Sequence, residues 1–318
     1  MKALPPEVIY VRLPNWVGDV CMCLPGLDLV LKTGCEIVVC ARPWARDLLK
    51  GYALADFIEY DGKWQFESKK IHEHKKQFKH KVVYGLIYPR SISSALAFTL
   101  AGIKSAGYTG DARGLLLKWK FHPNPSHVHF VEKWYFLTLE TLKKWGFSIE
   151  SETPPNQLQY TIPADSLSRA LKVLGSQQSS QKTILIAPTA VGKIDGASKV
   201  WPHYDALTKA LQNRGFRVVM CPPISEKNEA ESKAPTAEIL DPLSLSEYVA
   251  LTSIVDGVIA NDSGASHLAS LGARNQIALF GVTDPAVGGP RSANAVKLGS
   301  LGKWPSLDDV LSAVDKWQ

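Results

Sequence analysis

The chain has 318 residues, 45% hydrophobic and 21% charged, which is the composition of a soluble globular protein with length for about two domains. No run approaches the roughly 18–20 apolar residues of a membrane span. The opening "MKALPPEVIYVRLPNW" is interrupted by Pro5, Pro6, Glu7 and Arg12, so the expectation is a cytoplasmic protein without a secretory leader. The formal charge of +6 is too small to call for nucleic acid, and no nucleic-acid partner is expected; it suits an anionic substrate or an anionic membrane face.

The first expected strand is "VIYVRL" (8–13), followed by the loop "PNWVGD" and a helix over 20–31. "EIVVCA" (36–41) reads as a strand, "PWARDLLKGY" as the start of a helix, "VVYGLIYP" (82–89) as a strand and "SISSALAFTLAG" as a helix ending at Gly102. Short apolar runs without alternation, separated by helices, predict a parallel sheet covered on both faces. The pattern weakens after residue 150. "SETPPNQLQ" is rich in turn formers, 165–174 reads as a helix, and "GSQQSSQK" (175–182) is polar, which places the expected junction between domains 1–175 and 176–318. A second α/β run follows. Strands are expected at "TILIAP", "FRVVMC", "GVIAN" and "QIALFG", and helices at "HYDALTKALQNRG", "LSLSEYVALTSIV", "GASHLASLG" and "PSLDDVLSAVDKW". The last helix carries a capping pattern and is expected to pack back on the first domain. The fold class is therefore α/β, two doubly wound halves, in which ligands bind where strands end and helices begin.

Five cysteines occur, at 21, 23, 35, 40 and 221. Cys21-Met22-Cys23 has the wrong spacing for a zinc knuckle, so buried thiols in a reducing compartment are expected. "HEH" (His72, His74) and "HVH" (His127, His129) each lack a third ligand, and no metal is expected. The basic stretch of residues 69–81 reads either as a solvated face or as a contact for anionic lipid.

Three short motifs carry chemistry. In "LPNWVGDV", Gly18 permits a tight strand-to-helix turn and Asp19 falls in the first helical turn, either as a dipole partner or as a general base. In "SKVWPHYDAL", Lys199 lies at a sheet mouth where a point charge can hold phosphate, and Trp201-Pro202 suits helix entry. In "NDSGASH" (261–267), Ser263 and Gly264 open a helix after a strand, which favours an anion, while Asp262 either caps or accepts from a sugar hydroxyl. His267 follows one turn later, as a donor to phosphate or a core residue. "GKIDG" lacks P-loop spacing, and no G-x-G-x-x-G follows a leading strand, which disfavours a nicotinamide oxidoreductase.

Taken in order, "VRLPNWVGDVCMCLP", "LIYPRSISSALAFTLAGIKSAGYTGDAR", "KVWPHYDAL" and "NDSGASHLASLGARNQIALFGVTDP" resemble the bacterial lipopolysaccharide heptosyltransferases, glycosyltransferase family 9, and most nearly the heptosyltransferase II branch. The resemblance implies a GT-B architecture, two Rossmann-like domains facing across a cleft, the first for the acceptor and the second for the donor. It implies inverting transfer of L-glycero-D-manno-heptose from ADP-heptose to the lipopolysaccharide inner core, with no cofactor and no metal, at the cytoplasmic face of the inner membrane. By matching position, Asp19 is implied as the base. Thr189, Lys199, Glu226, Asp262, Ser263, Gly264 and His267 are implied as donor contacts, and Arg90, Arg113, Lys118 and Lys120 lie where the acceptor is expected. The chain departs from the family at Pro188-Thr189, where Pro-Gly is usual, and at Pro222-Pro223, where glycine is usual. A family 9 enzyme with another donor or acceptor, and a binding homologue without chemistry, are the alternatives.

Overall fold

The computed structural model describes residues 4–150, 153–175, 181–194 and 196–317. The chain forms two compact units, Met1–Pro155 and Asn156–Gln318. The first contains β1 (Val8–Arg12), α1 (Val17–Leu31), β2 (Glu36–Ala41), α2 (Ala45–Leu48), β3 (Asp56–Glu59), α3 (Trp64–Lys75), β4 (Val83–Ile87), α4 (Ile92–Leu100), β5 (Lys104–Tyr108), β6 (Trp119–Phe121) and α5 (Phe130–Trp145). Its sheet is parallel throughout, in the order β3-β2-β1-β4-β5-β6.

Every residue of β1 is buried, because helices cover both faces of the sheet. One face meets a core of Val8, Tyr10, Ile71, Ala95 and Phe98, to which α3 and α4 contribute. α1 packs on α5 at Gly26, where a β-carbon would come 2.6 Å from the Tyr88 hydroxyl and 2.7 Å from Thr138 Oγ1. Each fully buried Val, Ile or Phe here contributes about 1.5–3 kcal/mol relative to exposure.

The second unit contains α6 (Ala164–Leu174), β7 (Thr183–Ala187), β8 (Lys193–Ile194), β9 (Ala197–Ser198), α7 (Tyr204–Asn213), β10 (Arg217–Met220), α8 (Lys227–Lys233), β11 (Glu238–Ile239), α9 (Leu245–Ile254), β12 (Gly257–Asn261), α10 (Gly264–Ala269), β13 (Gln276–Phe280), α11 (Pro285–Gly288), β14 (Ala295–Gly299) and α12 (Leu307–Val314). Its large sheet runs β11-β10-β7-β12-β13-β14, which repeats the order of the first sheet position by position. β8 and β9 form a small antiparallel hairpin in what reads as loop from sequence.

One expected boundary differs. The division between units falls after Pro155 rather than at 175/176. The reason is α6, which docks on α9 and links Ser166 Oγ to Ser246 Oγ at 2.9 Å, so it belongs to the second unit. Residues 176–180 of the expected linker lie outside the described residues. Within the second unit, the C-terminal helix buries Val310 and Val314 in the core beside Trp201 and Leu207.

Candidate active site

Both sheets reverse strand order at one point, between β1 and β4 in the first unit and between β7 and β12 in the second. The loops leaving such a pair of strands diverge and open a crevice at their carboxyl ends. The sequence motifs fall on those loops: Asp19 after β1, Arg90 after β4, Thr189 after β7 and residues 262–267 after β12.

In the second unit, Asn261 is the organising residue. It is the last residue of β12 and fully buried. Its Nδ2 donates to the carbonyls of Ala187 (3.2 Å) and Thr189 (3.3 Å), and its Oδ1 accepts from the Trp201 amide at 2.9 Å. One amide thus fixes the exit of β7, the entry of α7 and the start of the 262–267 loop. Trp201 is buried and donates Nε1 to the Pro305 carbonyl at 2.9 Å, so it is a core residue. Thr189, almost buried, donates its hydroxyl to Glu226 Oε2 at 2.5 Å, which joins the β7 loop to the turn after β10. The Asp262 amide donates to the Leu279 carbonyl at 3.0 Å. Asp262 Oδ2 lies 3.0 Å from Lys199 Nζ and accepts from Thr283 Oγ1 at 2.7 Å. Ser263 stands in extended conformation before α10, with its buried hydroxyl unpaired among the described residues, and Gly264 begins the helix. His267 is buried within α10. Thr189, Lys199, Glu226, Asp262, Ser263 and Gly264 therefore gather around the carboxyl ends of β7, β10 and β12, with cation, carboxylates and hydroxyls suited to a phosphorylated, hydroxylated ligand.

In the first unit, Asp19 is half-buried in the first turn of α1, where its negative charge complements the helix dipole. The loop that leads to it is braced by Arg12. The Arg12 guanidinium is buried and donates to the Leu13 carbonyl and to Asn15 Oδ1 (2.9 Å). It also pairs with buried Glu67 at 2.6 Å and stacks 4.0 Å over the Tyr60 ring. Burial raises the Glu67 carboxyl above its ordinary value, with Arg12 acting in the opposite direction. The expected acceptor residues separate into three roles. Arg90 is exposed beside the β4 exit. Arg113 is a correction, because it is buried and spends its guanidinium on the carbonyls of Tyr108 (2.7 Å) and Ile87 (3.5 Å), tying β5 to β4. Burial, and then the nearby Arg90 charge, push it down to about 10. Lys118, just before edge strand β6, and Lys120 within it are exposed and line a groove of about 510 Å³ with Glu140, Lys143 and Lys144.

A family model described as glycosyltransferase family 9 (heptosyltransferase) matches residues 71–314. The chain belongs to that family. This family 9 glycosyltransferase is 26% identical over 304 residues to lipooligosaccharide heptosyltransferase 2 of Haemophilus influenzae, covering 90% of this chain and 87% of the relative. It is 26% identical over 316 residues to lipopolysaccharide heptosyltransferase 2 of Escherichia coli, covering 90% and 86%. Its fold matches the structure of E. coli ADP-heptose lps heptosyltransferase II with a TM-score of 0.76 at 24% identity, over 96% of this chain and 97% of that one. It matches E. coli heptosyltransferase WaaC with ADP at 0.73 and 19% identity, over 98% and 100%. The architecture is GT-B, two doubly wound α/β units.

Several sequence features of the glycosyltransferase take structural roles. His129 Nδ1 accepts from the Val131 amide at 3.1 Å and caps α5, and His127 stacks on Phe136. His74 bridges the Tyr10 hydroxyl (2.6 Å) and Asp56 (2.9 Å). Among the described residues, no three His, Cys, Asp or Glu side chains cluster as metal ligands. All five cysteines are free thiols, and burial raises each; Cys221 is pushed up to about 11. The basic stretch 69–81 becomes α3 and the turn after it, and four of its lysines have partners within the unit. Lys70 pairs with Asp61, Lys76 with Glu73 and Lys81 with Glu36, while Lys75 donates to the Ala101 and Gly102 carbonyls. Sequence reasoning missed Asn261, Thr283 and the Arg12–Glu67 pair. The available signal was positional, since Asn261 and Thr283 are polar residues at or just beyond the carboxyl ends of apolar strands.

Proposed function

We propose that this family 9 glycosyltransferase moves L-glycero-D-manno-heptose from ADP-heptose to the inner core of lipopolysaccharide with inversion and without a metal. The observation that carries this reading is the cluster of Thr189, Glu226, Lys199, Asp262 and Ser263 at the switch point of the second unit, in a chain whose family is named for heptosyl transfer. The named relatives support the substrates: two are lipooligosaccharide or lipopolysaccharide heptosyltransferases, and one solved neighbour holds ADP.

In this mechanism, the acceptor hydroxyl gives its proton to the Asp19 carboxylate as its oxygen attacks the anomeric carbon. The bond from that carbon to the β-phosphate oxygen breaks, and ADP departs with the electron pair. Lys199, the Ser263 hydroxyl and the amides opening α10 meet the charge that grows on the diphosphate. Glu226, steadied by Thr189, accepts from the adenosine ribose, and Asp262 accepts from the heptose. His267 belongs to the donor loop through its place on α10. On the acceptor side, Arg90, beyond the carboxyl end of β4, suits the carboxylates and phosphates of the inner core, and Lys118 and Lys120, in a groove toward the amino end of the sheet, suit the same anionic groups farther from Asp19. The enzyme works at the cytoplasmic face of the inner membrane; no helix among the described residues is long and apolar enough to cross it.

The test is incubation of the protein with ADP-heptose and heptose-deficient or singly heptosylated core acceptors. The expected product is one heptose heavier and appears with one equivalent of ADP. Absence of transfer to every Kdo- or heptose-terminated acceptor overturns the assignment, and transfer from another nucleotide sugar reassigns the donor.

A further inference from the structure

We propose that Thr283 is a positioning residue for the donor sugar and acts through Asp262. The inference rests on the reading of Asp262 as a donor contact. A carboxylate offers about four acceptor positions, two on each oxygen. Here two contacts fall on a single oxygen: Thr283 Oγ1 donates to Oδ2 at 2.7 Å, and Lys199 Nζ lies 3.0 Å from the same atom. Oδ1 accepts no hydrogen bond among the described residues, although the Asp262 side chain is only 12% exposed. The backbone cannot reorient the group, because the Asp262 amide is bound to the Leu279 carbonyl and Asn261 is paired with Leu279 in the sheet. The side chain is thus held by one oxygen and presents the other.

Thr283 and Lys199 hold that oxygen on different terms. Lys199 is a flexible point charge, and an arriving diphosphate competes with Asp262 for it. Thr283 is neutral, leaves β13 on a short loop, and has no charge for the diphosphate to attract. When Lys199 turns toward phosphate, the Thr283 hydrogen bond keeps Asp262 from following its counter-ion. Oδ1 then stays aimed to accept from a sugar hydroxyl. Thr283 therefore serves recognition of the sugar, whereas Lys199 serves recognition of the nucleotide's diphosphate.

Calorimetric titration of Thr283→Val, Thr283→Ser, Lys199→Ala and Asp262→Asn with ADP and with ADP-heptose separates these roles. Thr283→Val is expected to weaken ADP-heptose binding roughly tenfold, the loss of one hydrogen bond to a charged group, and to leave ADP affinity unchanged. Thr283→Ser restores the affinity, and Lys199→Ala weakens both ligands. In the cycle with Asp262→Asn, the two losses are less than additive. Equal loss of ADP and ADP-heptose affinity in Thr283→Val, or no loss of either, overturns the proposal. Unchanged ADP-heptose binding and turnover in Asp262→Asn instead overturns the underlying reading of the donor site.

Discussion

Asn261 shows how a single buried amide organises the candidate site of the second unit. Its three hydrogen bonds join segments far apart in sequence, and each of its partners is a backbone group without another role for that side chain. Asn261→Ala removes hydrogen bonds to two carbonyls and from one amide and is expected to cost about 2–4 kcal/mol. Denaturant unfolding measures that loss, and ADP titration follows the accompanying spread of Thr189 and Lys199. The motif "NDSGASH" suggests an anion site in sequence because strand, hydroxyl and glycine are neighbours in the chain. Its true partners, Ala187, Trp201 and Thr283, come from distant strand ends and loops, and no local pattern encodes them. Arg113 misled for the opposite reason. A basic residue in a turn reads as exposed, and only the paired carbonyl ends of β4 and β5 show why the charge goes inside.

The helices and strands that were legible in sequence are those with continuous apolar runs. The "GVIAN" strand is observed as expected, and the strands at 8–12, 36–41 and 276–280 differ by at most one residue from expectation. Four of the elements that escaped show why. α3 has a charged composition and buries only Glu67, Ser68 and Ile71. β5 is "KSAGY" and β14 is a mostly exposed edge strand, so neither carries the apolar run of a central strand. α5 is amphipathic but follows a stretch rich in proline and histidine that hides its start. Within α1, Asp28 gives the element a measurable signature. Burial pushes its carboxyl up to about 6 from 3.8, partly opposed by Lys32. The folded protein therefore holds this proton more tightly than the unfolded chain between roughly pH 4 and 6, and stability from this group falls as pH rises through that window. Asp28→Asn is expected to remove the dependence and to add about 1–3 kcal/mol near pH 7, measured by denaturant unfolding across pH.

The two units divide charge as they divide labour in the proposed reaction. Residues 1–155 hold 21 Lys and Arg against 15 Asp and Glu, and residues 156–318 hold 15 of each, so the whole formal +6 belongs to the first unit. Part of that charge is spent internally, as Lys70 and Lys76 show, and part lines the groove at Lys118, Lys120, Lys143 and Lys144. Replacing those four lysines by glutamine is expected to raise the KM for an anionic core acceptor and to flatten its dependence on salt, while ADP affinity stays unchanged. Steady-state kinetics from low to high ionic strength reads both effects. The central claim, that a carboxylate of the first unit activates the acceptor for a donor held by the second, is tested most directly by Asp19→Asn. Binding of ADP-heptose and transfer to the core acceptor are measured on the same preparation. The account predicts wild-type affinity for ADP-heptose with turnover reduced by about 10²–10⁴; turnover close to wild type would contradict it.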